Sequence, residues 1–320
     1  MKNKNLQNIA RPLAVIALPV ALFLIFTILA PGFGAGSITL VLRQALIPTV
    51  MGISLAFEMT SGIFDLCVGT RLVLAATCGG LLGNVMGIPG IIIGSLLGGG
   101  VMGAVMGWLH NLLKLPSLVL SLGLVMILEI VTSKIMGHNG MVQIPAAIAV
   151  LGKSPWCYIL TGACIVVFFF CYYHTRFSYH VRVIGNNELL ARNMGINISR
   201  CNFMSFFVGG LFVGVAGILQ MCYSNQVSST INMASMSMAF KPMMGVMIAQ
   251  ELLKLHDNFA LDILVGEICI SVIFNGLIAL GLPDTMQDVV LGVFMLLVMA
   301  VSASRGTLDL KKLLRRPSAA

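Results

Sequence analysis

Glu58, Asp65 and Arg71 stand close together in a part of the chain that is otherwise apolar. Charged side chains in such surroundings are costly and are retained mainly where they pair with one another or serve a function. Two carboxylates beside one guanidinium could form an internal charge network. A functional and a purely structural role both remain open for this trio on the sequence alone.

Other polar residues also interrupt apolar runs, and each has a functional and a structural interpretation. Glu129 and Lys134 lie near a helix end, where a salt bridge or interfacial exposure would suffice, and Glu267 could hydrogen-bond one helix to another. The remaining candidates of this kind are Thr60, Ser61, Ser121, Lys241 and Asn275.

No catalytic or metal-binding motif accompanies these residues. The phosphate-binding GxxxxGK[ST] loop, HExxH and GxSxG are absent, and the five histidines lie far apart in the sequence. The eight cysteines form no CxxC pair. Cys157, Cys164 and Cys171 share a helix face, where packing explains small residues better than a metal site does. We therefore expect no catalytic residues, and no metal or cofactor bound by this chain.

Composition places the polar residues in a membrane protein. Of the 320 residues, 58% are hydrophobic and 9% are charged, whereas a soluble domain carries about 25% charged residues. Runs such as 12–33 and 159–173 reach or approach the roughly 20 residues that span a bilayer as a helix. The first run exceeds the length of a signal-peptide core, so we expect it to be a retained helix.

Hydropathy predicts an all-α protein of about ten transmembrane helices in one domain, residues 1–320. The expected spans are 12–32, 42–59, 65–84, 89–110, 116–136, 156–175, 201–222, 233–250, 259–281 and 285–304. Polar residues and glycines interrupt 57–70, and Pro242 is expected to kink or end the eighth span within 238–245. Interrupted helices at membrane depth are tolerated where they line a cavity, and one in each half of a transporter points to its pathway.

Loop charge predicts the orientation, because cytoplasmic loops carry an excess of Lys and Arg. With the N-terminus inside, most of the 19 basic residues fall on the cytoplasmic side, including those of the 176–200 loop and the 305–320 tail. Both termini are then cytoplasmic. Anionic membrane lipid explains the net charge of +8, so no nucleic-acid partner is expected.

Glycines four residues apart predict close helix packing. Gly99, Gly103 and Gly107 form one stripe, and Gly210 and Gly214 form another. Because glycine has no side chain, two helix backbones can approach each other closely in lipid at such positions. We expect both stripes to lie at helix–helix contacts.

The segment 180–199, HVRVIGNNELLARNMGINIS, is polar in a hydrophobic chain. Asn186 or Asn187 can cap a helix start, ELLARNM favours helix, and Gly195 can end it. Arginines such as Arg192 offer charged contacts to a partner surface. We predict a short helix that binds a partner protein, and the alternative is an ordinary solvated loop.

Four stretches resemble the membrane permease subunits of bacterial ATP-binding-cassette sugar importers, the ribose, xylose, galactose and arabinose group. They are TSGIFDLCVGT (60–70), LKLPSLVLSLGLVMI (113–127), VIGNNELLARNMGIN (183–197) and FNGLIALGLPDTMQDVVLGVFML (274–296). The third stretch carries the most specific match, through Ile184, Gly185, Asn187, Glu188, Ala191, Arg192, Gly195, Ile196 and Asn197. The chain departs from the family pattern at Ile63 and Cys67, and at 248–260, where a glycine-rich motif is usual.

The resemblance implies a permease of the type II, vitamin B12-importer-like fold. Such permeases pair with a second permease, identical or related, and with ATP-binding subunits that use ATP and Mg²⁺. They receive their solute from an extracytoplasmic substrate-binding protein. Residues 184–197, within the loop 176–200, would form the coupling helix that docks on the ATPase. The residues expected to line the translocation pathway are Ser61, Asp65, Ser121 and Asn275.

We therefore expect an inner-membrane permease subunit that imports a small polar solute, a monosaccharide or a related compound, and hydrolyses no ATP itself. The alternative is a stand-alone ion-coupled transporter, in which Glu58, Asp65 and Arg71 form the coupling network. Proton-dependent uptake without any ATPase would favour that alternative. A non-transporting membrane scaffold is a third hypothesis, but it leaves the three charges unexplained.

Overall fold

The computed structural model describes residues 2–30, 32–253 and 258–283, with 286, 289, 290, 292, 293 and 296, and their side chains from residue 15 onward. The helices are α1 (Lys2–Leu29), α2 (Ser37–Thr60), α3 (Val68–Met86), α4 (Ile88–Leu113), α5 (Ser117–Met136), α6 (Trp156–His174), α7 (Arg176–Asn186), α8 (Glu188–Asn193), α9 (Ile198–Ser224), α10 (Ser237–Leu252) and α11 (Phe259–Ala279). Two short strands, β1 (Met141–Gln143) and β2 (Gln226–Ser228), form an antiparallel ribbon with Val142 opposite Val227. Apart from this ribbon and short 3₁₀ turns, the regular structure of the described residues is helical.

Seven of the described helices are long and apolar enough to cross a membrane, namely α2, α3, α4, α5, α6, α9 and α11. The expectation of about ten spans in a type II, vitamin B12-importer-like fold is therefore wrong for the described chain, and the reason is helix length. The predicted eighth span is α10, which has 16 residues, fewer than the roughly 20 needed to cross. Helix α1 has 28 residues, and Val15–Leu29 is the part of its apolar run whose side chains are described. The predicted tenth span, 285–304, lies mostly outside the described residues, and the tail 305–320 lies wholly outside them.

The helix ends define two opposite faces of the molecule. On the first, Asn111 Nδ2 of α4 donates to the Ser199 carbonyl oxygen of α9 at 2.7 Å, and α7 and α8 lie nearby in sequence and space. On the second, Asn84 Nδ2 of α3 donates to the Gln143 carbonyl oxygen of the ribbon at 2.9 Å. We call them the α7–α8 face and the ribbon face. The basic residues of the α7–α8 face are Lys114, Arg176, Arg182, Arg192 and Arg200.

Both glycine stripes lie at a helix–helix contact, as predicted, and the structure shows that they face each other where α4 packs on α9. A Cβ at Gly103 would overlap the Phe206 carbonyl oxygen. A Cβ at Gly214 would lie 2.7 Å from the Ser95 carbonyl oxygen. A side chain at either position would therefore push the two backbones apart. Close contact of α4 with α9 is possible only because these positions are glycine.

Replacing Gly210 by alanine should destabilise the chain, because the new Cβ would overlap the Gly99 carbonyl oxygen. Overpacking of this kind typically costs about 1–3 kcal/mol. Gly162→Ala on α6 is the matched control, since no atom lies within 4 Å of its added Cβ. Thermal unfolding in detergent should show a lower midpoint for Gly210→Ala alone. Equal midpoints for the two variants would contradict close packing of α4 on α9.

The outward faces of α4, α5 and α6 are apolar. Large aliphatic and aromatic side chains lie more than half exposed on all three helices. Examples are Leu97, Val101, Met126, Ile130, Val166 and Phe170. Such a continuous apolar exterior fits contact with lipid, in which every span satisfies its backbone hydrogen bonds internally.

Candidate functional site

A break of seven residues, 61–67, separates α2 from α3. Ser61 Oγ donates to the Glu58 carbonyl oxygen at 2.8 Å and closes the end of α2, and Gly62 turns the chain with φ +81°. Phe64 N donates to Ser117 Oγ of α5 at 3.2 Å, which anchors the break. The interrupted helix predicted at 57–70 is confirmed.

The three charged residues around this break form one buried cluster. Arg71 Nη2 donates to Glu58 Oε1 at 3.0 Å and also pairs with Asp65 Oδ2. Asp65 Oδ1 in turn accepts from the Cys67 amide at 2.8 Å. The side chains of Glu58, Asp65 and Arg71 are at most 1% exposed. The charge network suggested by the sequence is present, and it ties the end of α2 to the break and to the start of α3.

The hydrogen bonding of this cluster is incomplete within the described residues. Glu58 Oε2 and both Arg71 Nε and Nη1 are buried without a hydrogen-bond partner there. The Phe206 ring centroid lies 6.0 Å from the Arg71 Cζ atom, so part of the guanidinium meets an aromatic ring. The cluster is packed between helices and does not line the cavity described below.

A second interruption lies at 229–236, between β2 and α10. Asn232 and Met233 both have positive φ angles, 61° and 62°, and a 3₁₀ turn follows at Ala234–Met236. The break therefore precedes Pro242, which the helix α10 accommodates inside its own length. The prediction that Pro242 itself marks the interruption is corrected accordingly.

Glu129 of α5 holds this second interruption in place. Its carboxylate accepts from the Met233 amide at 2.9 Å, from the Ser235 amide at 2.9 Å and from Ser235 Oγ at 2.6 Å. Glu129 is 2% exposed, so the interpretation of a salt bridge with Lys134 or an interfacial carboxylate is wrong. A carboxylate with three donors is a well-satisfied buried anion.

The two interruptions touch each other. Thr70 Oγ1 and Ser235 Oγ lie 2.6 Å apart, and a Cβ at Gly69 would overlap the Ser235 carbonyl oxygen. Non-helical backbone within a bundle of spans is tolerated where it is buried in protein or lines a cavity. Paired interruptions of this kind are typical of the substrate path in transporters.

A cavity of about 650 Å³ lies beside the second interruption, bounded mainly by α2, α9, α10 and α11. This is within the roughly 300–1,000 Å³ common for small-molecule sites. Its polar lining comprises Arg43, Gln44, Gln220, Ser224, Ser237, Lys241, Glu267 and Ser271. Its apolar lining includes Ile47, Met51, Leu72, Met238, Ile270 and Phe274.

Two basic side chains line this cavity. Lys241 Nζ lies 3.8 Å from the centroid of the Phe274 ring, and Arg43 Cζ lies 5.4 Å from that of Tyr223. Both contacts are cation–π contacts that hold long basic side chains against aromatic walls. Glu267 of α11 is also a lining residue, but its carboxyl oxygens are buried against Gly52 and Gly245.

The structure does not bring the four predicted pathway residues together. Asn275 is nearest the cavity, since its Nδ2 donates to Gln44 Oε1 at 2.8 Å. Ser61 and Asp65 lie in the α2–α3 break, and Ser121 Oγ donates to the Leu118 carbonyl oxygen of its own helix. The sequence-based prediction of the pathway misses four residues that line the cavity, namely Arg43, Gln44, Lys241 and Glu267. Of these, Lys241 and Glu267 are recognisable in the sequence as polar residues in apolar runs.

The 176–200 segment forms two short helices on the α7–α8 face. Asn187 Oδ1 accepts from the Leu190 amide at 3.0 Å and caps α8, and Asn197 Oδ1 accepts from the Arg200 amide at 3.0 Å and caps α9. Gly195 follows α8 with φ +76°. The prediction of a helix capped by an asparagine and ended near Gly195 is confirmed.

One side of this segment packs inward and the other is exposed. Ile184 and Ala191 are buried in a cluster with Cys201, and Gly185 lies against the Thr60 carbonyl oxygen at the end of α2. On the opposite side lie exposed apolar residues, Leu189, Leu190 and Met194, next to the exposed Glu188–Arg192 pair. This side of the segment therefore presents three exposed apolar side chains beside an exposed ion pair.

Residues 37–299 match the protein family described as branched-chain amino acid transport system / permease component. The chain belongs to this permease family. The match contains all seven candidate spans of the described residues, both interruptions and the α7–α8 segment.

Known import permeases are similar to this permease over most of its length. The ribose import permease protein of Escherichia coli (strain K12) is 23% identical over 299 residues, which cover 90% of this chain and 92% of the relative. The autoinducer 2 import system permease protein of Photorhabdus luminescens is 23% identical, covering 92% and 90%. The xylose transport system permease protein of Escherichia coli (strain K12) is 24% identical, covering 68% and 72%. No solved structure matches.

The family match fixes the class of protein. This permease is a membrane-embedded subunit of a bacterial ATP-binding-cassette importer in the inner membrane, and it is not an enzyme. ATP hydrolysis belongs to a separate ATP-binding subunit, and importers of this kind also use a substrate-binding protein. Among the described residues, no group of His, Cys, Asp or Glu could hold a metal ion.

Proposed function

We propose that this permease imports a small polar solute, a monosaccharide or a related compound, through the cavity between α2, α9, α10 and α11. The observation that carries the proposal is the cavity itself, which has the volume of a small-molecule site and lies beside the paired helix interruptions. Its mixture of amide, hydroxyl and charged groups suits a solute rich in hydroxyls. The names of the relatives, which include ribose and xylose permeases, support the same class.

The 176–200 segment is the docking site for the ATP-binding subunit in this proposal. The exposed Leu189, Leu190 and Met194 provide apolar contact area, and Arg192 provides a charged contact. The residues assigned to docking are Ile184, Gly185, Asn187, Glu188, Ala191, Arg192, Gly195 and Asn197. ATP and Mg²⁺ are used by the partner subunit, and this chain binds no cofactor of its own.

A continuous set of contacts leads from the docking segment to the cavity. Gly185 touches the end of α2, and the Arg71 cluster joins that end to α3. Thr70 of α3 contacts Ser235, which begins the turn into α10. In the proposed alternating-access cycle, closure of the ATP-binding subunits moves α7 and α8, and these contacts carry the movement to the cavity wall.

The two faces support the orientation in this proposal. Residues 1–320 form a single permease domain whose α7–α8 face is cytoplasmic, because basic residues are concentrated there. Both termini, including the basic 305–320 tail, are cytoplasmic and lie near anionic membrane lipid. A second permease, identical or related, completes the membrane part, and the extracytoplasmic substrate-binding protein approaches the ribbon face.

The stand-alone ion-coupled transporter is not favoured. Glu58 and Asp65 both pair with Arg71 and lie outside the cavity lining. An ion-coupling carboxylate should instead contact the solute pathway.

Purification from the native membrane in mild detergent tests the ATP-driven function. Mass spectrometry should identify a stoichiometric partner that carries a phosphate-binding GxxxxGK[ST] loop. Arg192→Glu should lower the recovery of that partner while leaving the amount of permease in the membrane unchanged, since Arg192 is 71% exposed. Isolation of the permease alone in several detergents would count against the proposal.

A further inference from the structure

Helix α7 is held against the end of α6. A single residue, Thr175, separates the two helices, and its Oγ1 accepts from the Ser178 amide at 3.3 Å to cap α7. Arg182 of α7 reaches back over α6, where its Nη2 donates to the Tyr172 carbonyl oxygen at 3.4 Å. Its Cζ lies 5.1 Å and 6.0 Å from the ring centroids of Tyr172 and Tyr173. These cation–π contacts join the docking segment to the last turn of α6.

The same turn of α6 holds the start of α11. The Tyr173 hydroxyl oxygen accepts from the Phe259 amide at 2.8 Å. Phe259 is the first residue of α11, and the first amides of a helix have no acceptor within that helix. The Tyr172 ring centroid lies 5.1 Å from that of Phe259, which is 1% exposed. Two adjacent tyrosines therefore contact both α7 and α11.

Helix α11 forms one wall of the cavity. Its residues Ile270, Ser271 and Phe274 belong to the lining. Because an α-helix is held together by its own hydrogen bonds, a displacement of its first turn also moves these residues. The contact path from Gly185 to Ser235 reaches the cavity through α2, α3 and α10, and it does not include α11.

We propose that Tyr173 is a positioning residue for transport, whose hydroxyl makes α11 follow α6 and α7 when the ATP-binding subunits close. The inference rests on the proposed function, in which the 176–200 segment receives that movement. Packing of the Tyr172 ring on Phe259 keeps α6 and α11 in contact, whereas the directional bond from the Phe259 amide to Tyr173 fixes their relative position. The cavity wall is then moved from two sides, through α10 and through α11.

Removal of the Tyr173 hydroxyl tests this role. The permease is reconstituted in proteoliposomes with its ATP-binding subunit and its substrate-binding protein, and ATP hydrolysis and uptake of labelled ribose and xylose are measured together. Tyr173→Phe keeps the ring and should leave membrane abundance and ATP hydrolysis unchanged. Uptake per ATP hydrolysed should fall about fivefold, the size expected for the loss of one hydrogen bond. An unchanged ratio, with or without a loss of protein, would overturn the proposal.

Tyr158→Phe is the matched control, because it removes the same hydroxyl from the other end of α6. Tyr158 is half-buried and lies roughly 22 Å along the helix from Tyr173. The control should take up as much solute per ATP as the unsubstituted permease. An equal fall in both variants would mean that uptake responds to any hydroxyl lost from α6, which would also overturn the proposal.

Hydrogen–deuterium exchange separates this proposal from the import function on which it rests. In the purified assembly of the permease with its ATP-binding subunit, ATP should change the exchange of the amides at 259–266. Tyr173→Phe should keep the ATP response of α8 and lose that of 259–266. Equal responses at 259–266 in the two proteins, or none in the unsubstituted permease, would overturn the role of Tyr173. Failure of the import function would look different, because the unsubstituted permease with its partners would then accumulate no ribose or xylose, whatever the exchange at 259–266.

Discussion

Replacing Arg71 by methionine should prevent most of the permease from reaching its folded state. The change removes the only described partner of Glu58 Oε1 and the ion pair of Asp65, and leaves two carboxylates buried without a cation. Breaking a buried pair by removing one partner costs about 3–5 kcal/mol. Size-exclusion profiles and thermal midpoints of the detergent-solubilised protein would record the loss.

An exposed ion pair in the same chain provides the control for Arg71. Arg192 Nη2 lies 3.7 Å from Glu188 Oε1, and the two side chains are 71% and 63% exposed. Exposed ion pairs contribute only about 0–1 kcal/mol to the free energy of unfolding. Arg192→Gln should therefore unfold at nearly the midpoint of the unsubstituted permease. Similar midpoints for Arg71→Met and Arg192→Gln would show that the buried cluster does not stabilise the fold.

Gly185→Ala should abolish ATP-driven transport while leaving membrane insertion intact. A Cβ at this position would overlap the Thr60 carbonyl oxygen, so α7 would have to move away from the end of α2. That contact is the first step between the docking segment and the cavity. Uptake of labelled ribose and xylose, compared with the amount of permease in the membrane, measures the effect.

Gly162→Ala again serves as the control for the added methyl group, because its Cβ meets no atom within 4 Å. It should leave both uptake and insertion unchanged. The amount of ATP-binding subunit that co-purifies with Gly185→Ala should also fall, because a displaced α7 should weaken docking as well as transport. Normal uptake by Gly185→Ala would contradict the proposed contact path from α7 to α2.

The helices could be predicted from the sequence wherever hydrophobic length alone decides them. Seven apolar runs became candidate spans because each holds enough residues to cross the bilayer as a helix. The prediction of an eighth span at 233–250 was wrong because hydropathy carries no information on backbone dihedral angles. Asn232 and Met233 have positive φ angles, and the non-helical segment 229–236 shortens the helix that follows.

The local parts of the candidate site were also predictable. The Glu58–Asp65–Arg71 cluster lies within one short stretch, and Asn187 caps α8 by accepting from the Leu190 amide three residues further on. Both features depend on residues that are neighbours in the sequence. Their partners could therefore be found by spacing alone.

The cavity and its surroundings could not be predicted, because they are built from residues that lie far apart in the sequence. Glu129 meets Met233 and Ser235, which lie 104 and 106 residues away, and Asn275 meets Gln44 across 231 residues. No sequence pattern links such distant positions.

ATP-driven uptake into proteoliposomes tests the central claim most directly. The permease is reconstituted with its ATP-binding subunit, its substrate-binding protein is added on one side, and labelled ribose or xylose is followed. Accumulation that requires both ATP and the ATP-binding subunit is the predicted result. Accumulation driven by a proton gradient, with the ATP-binding subunit left out, would contradict the account.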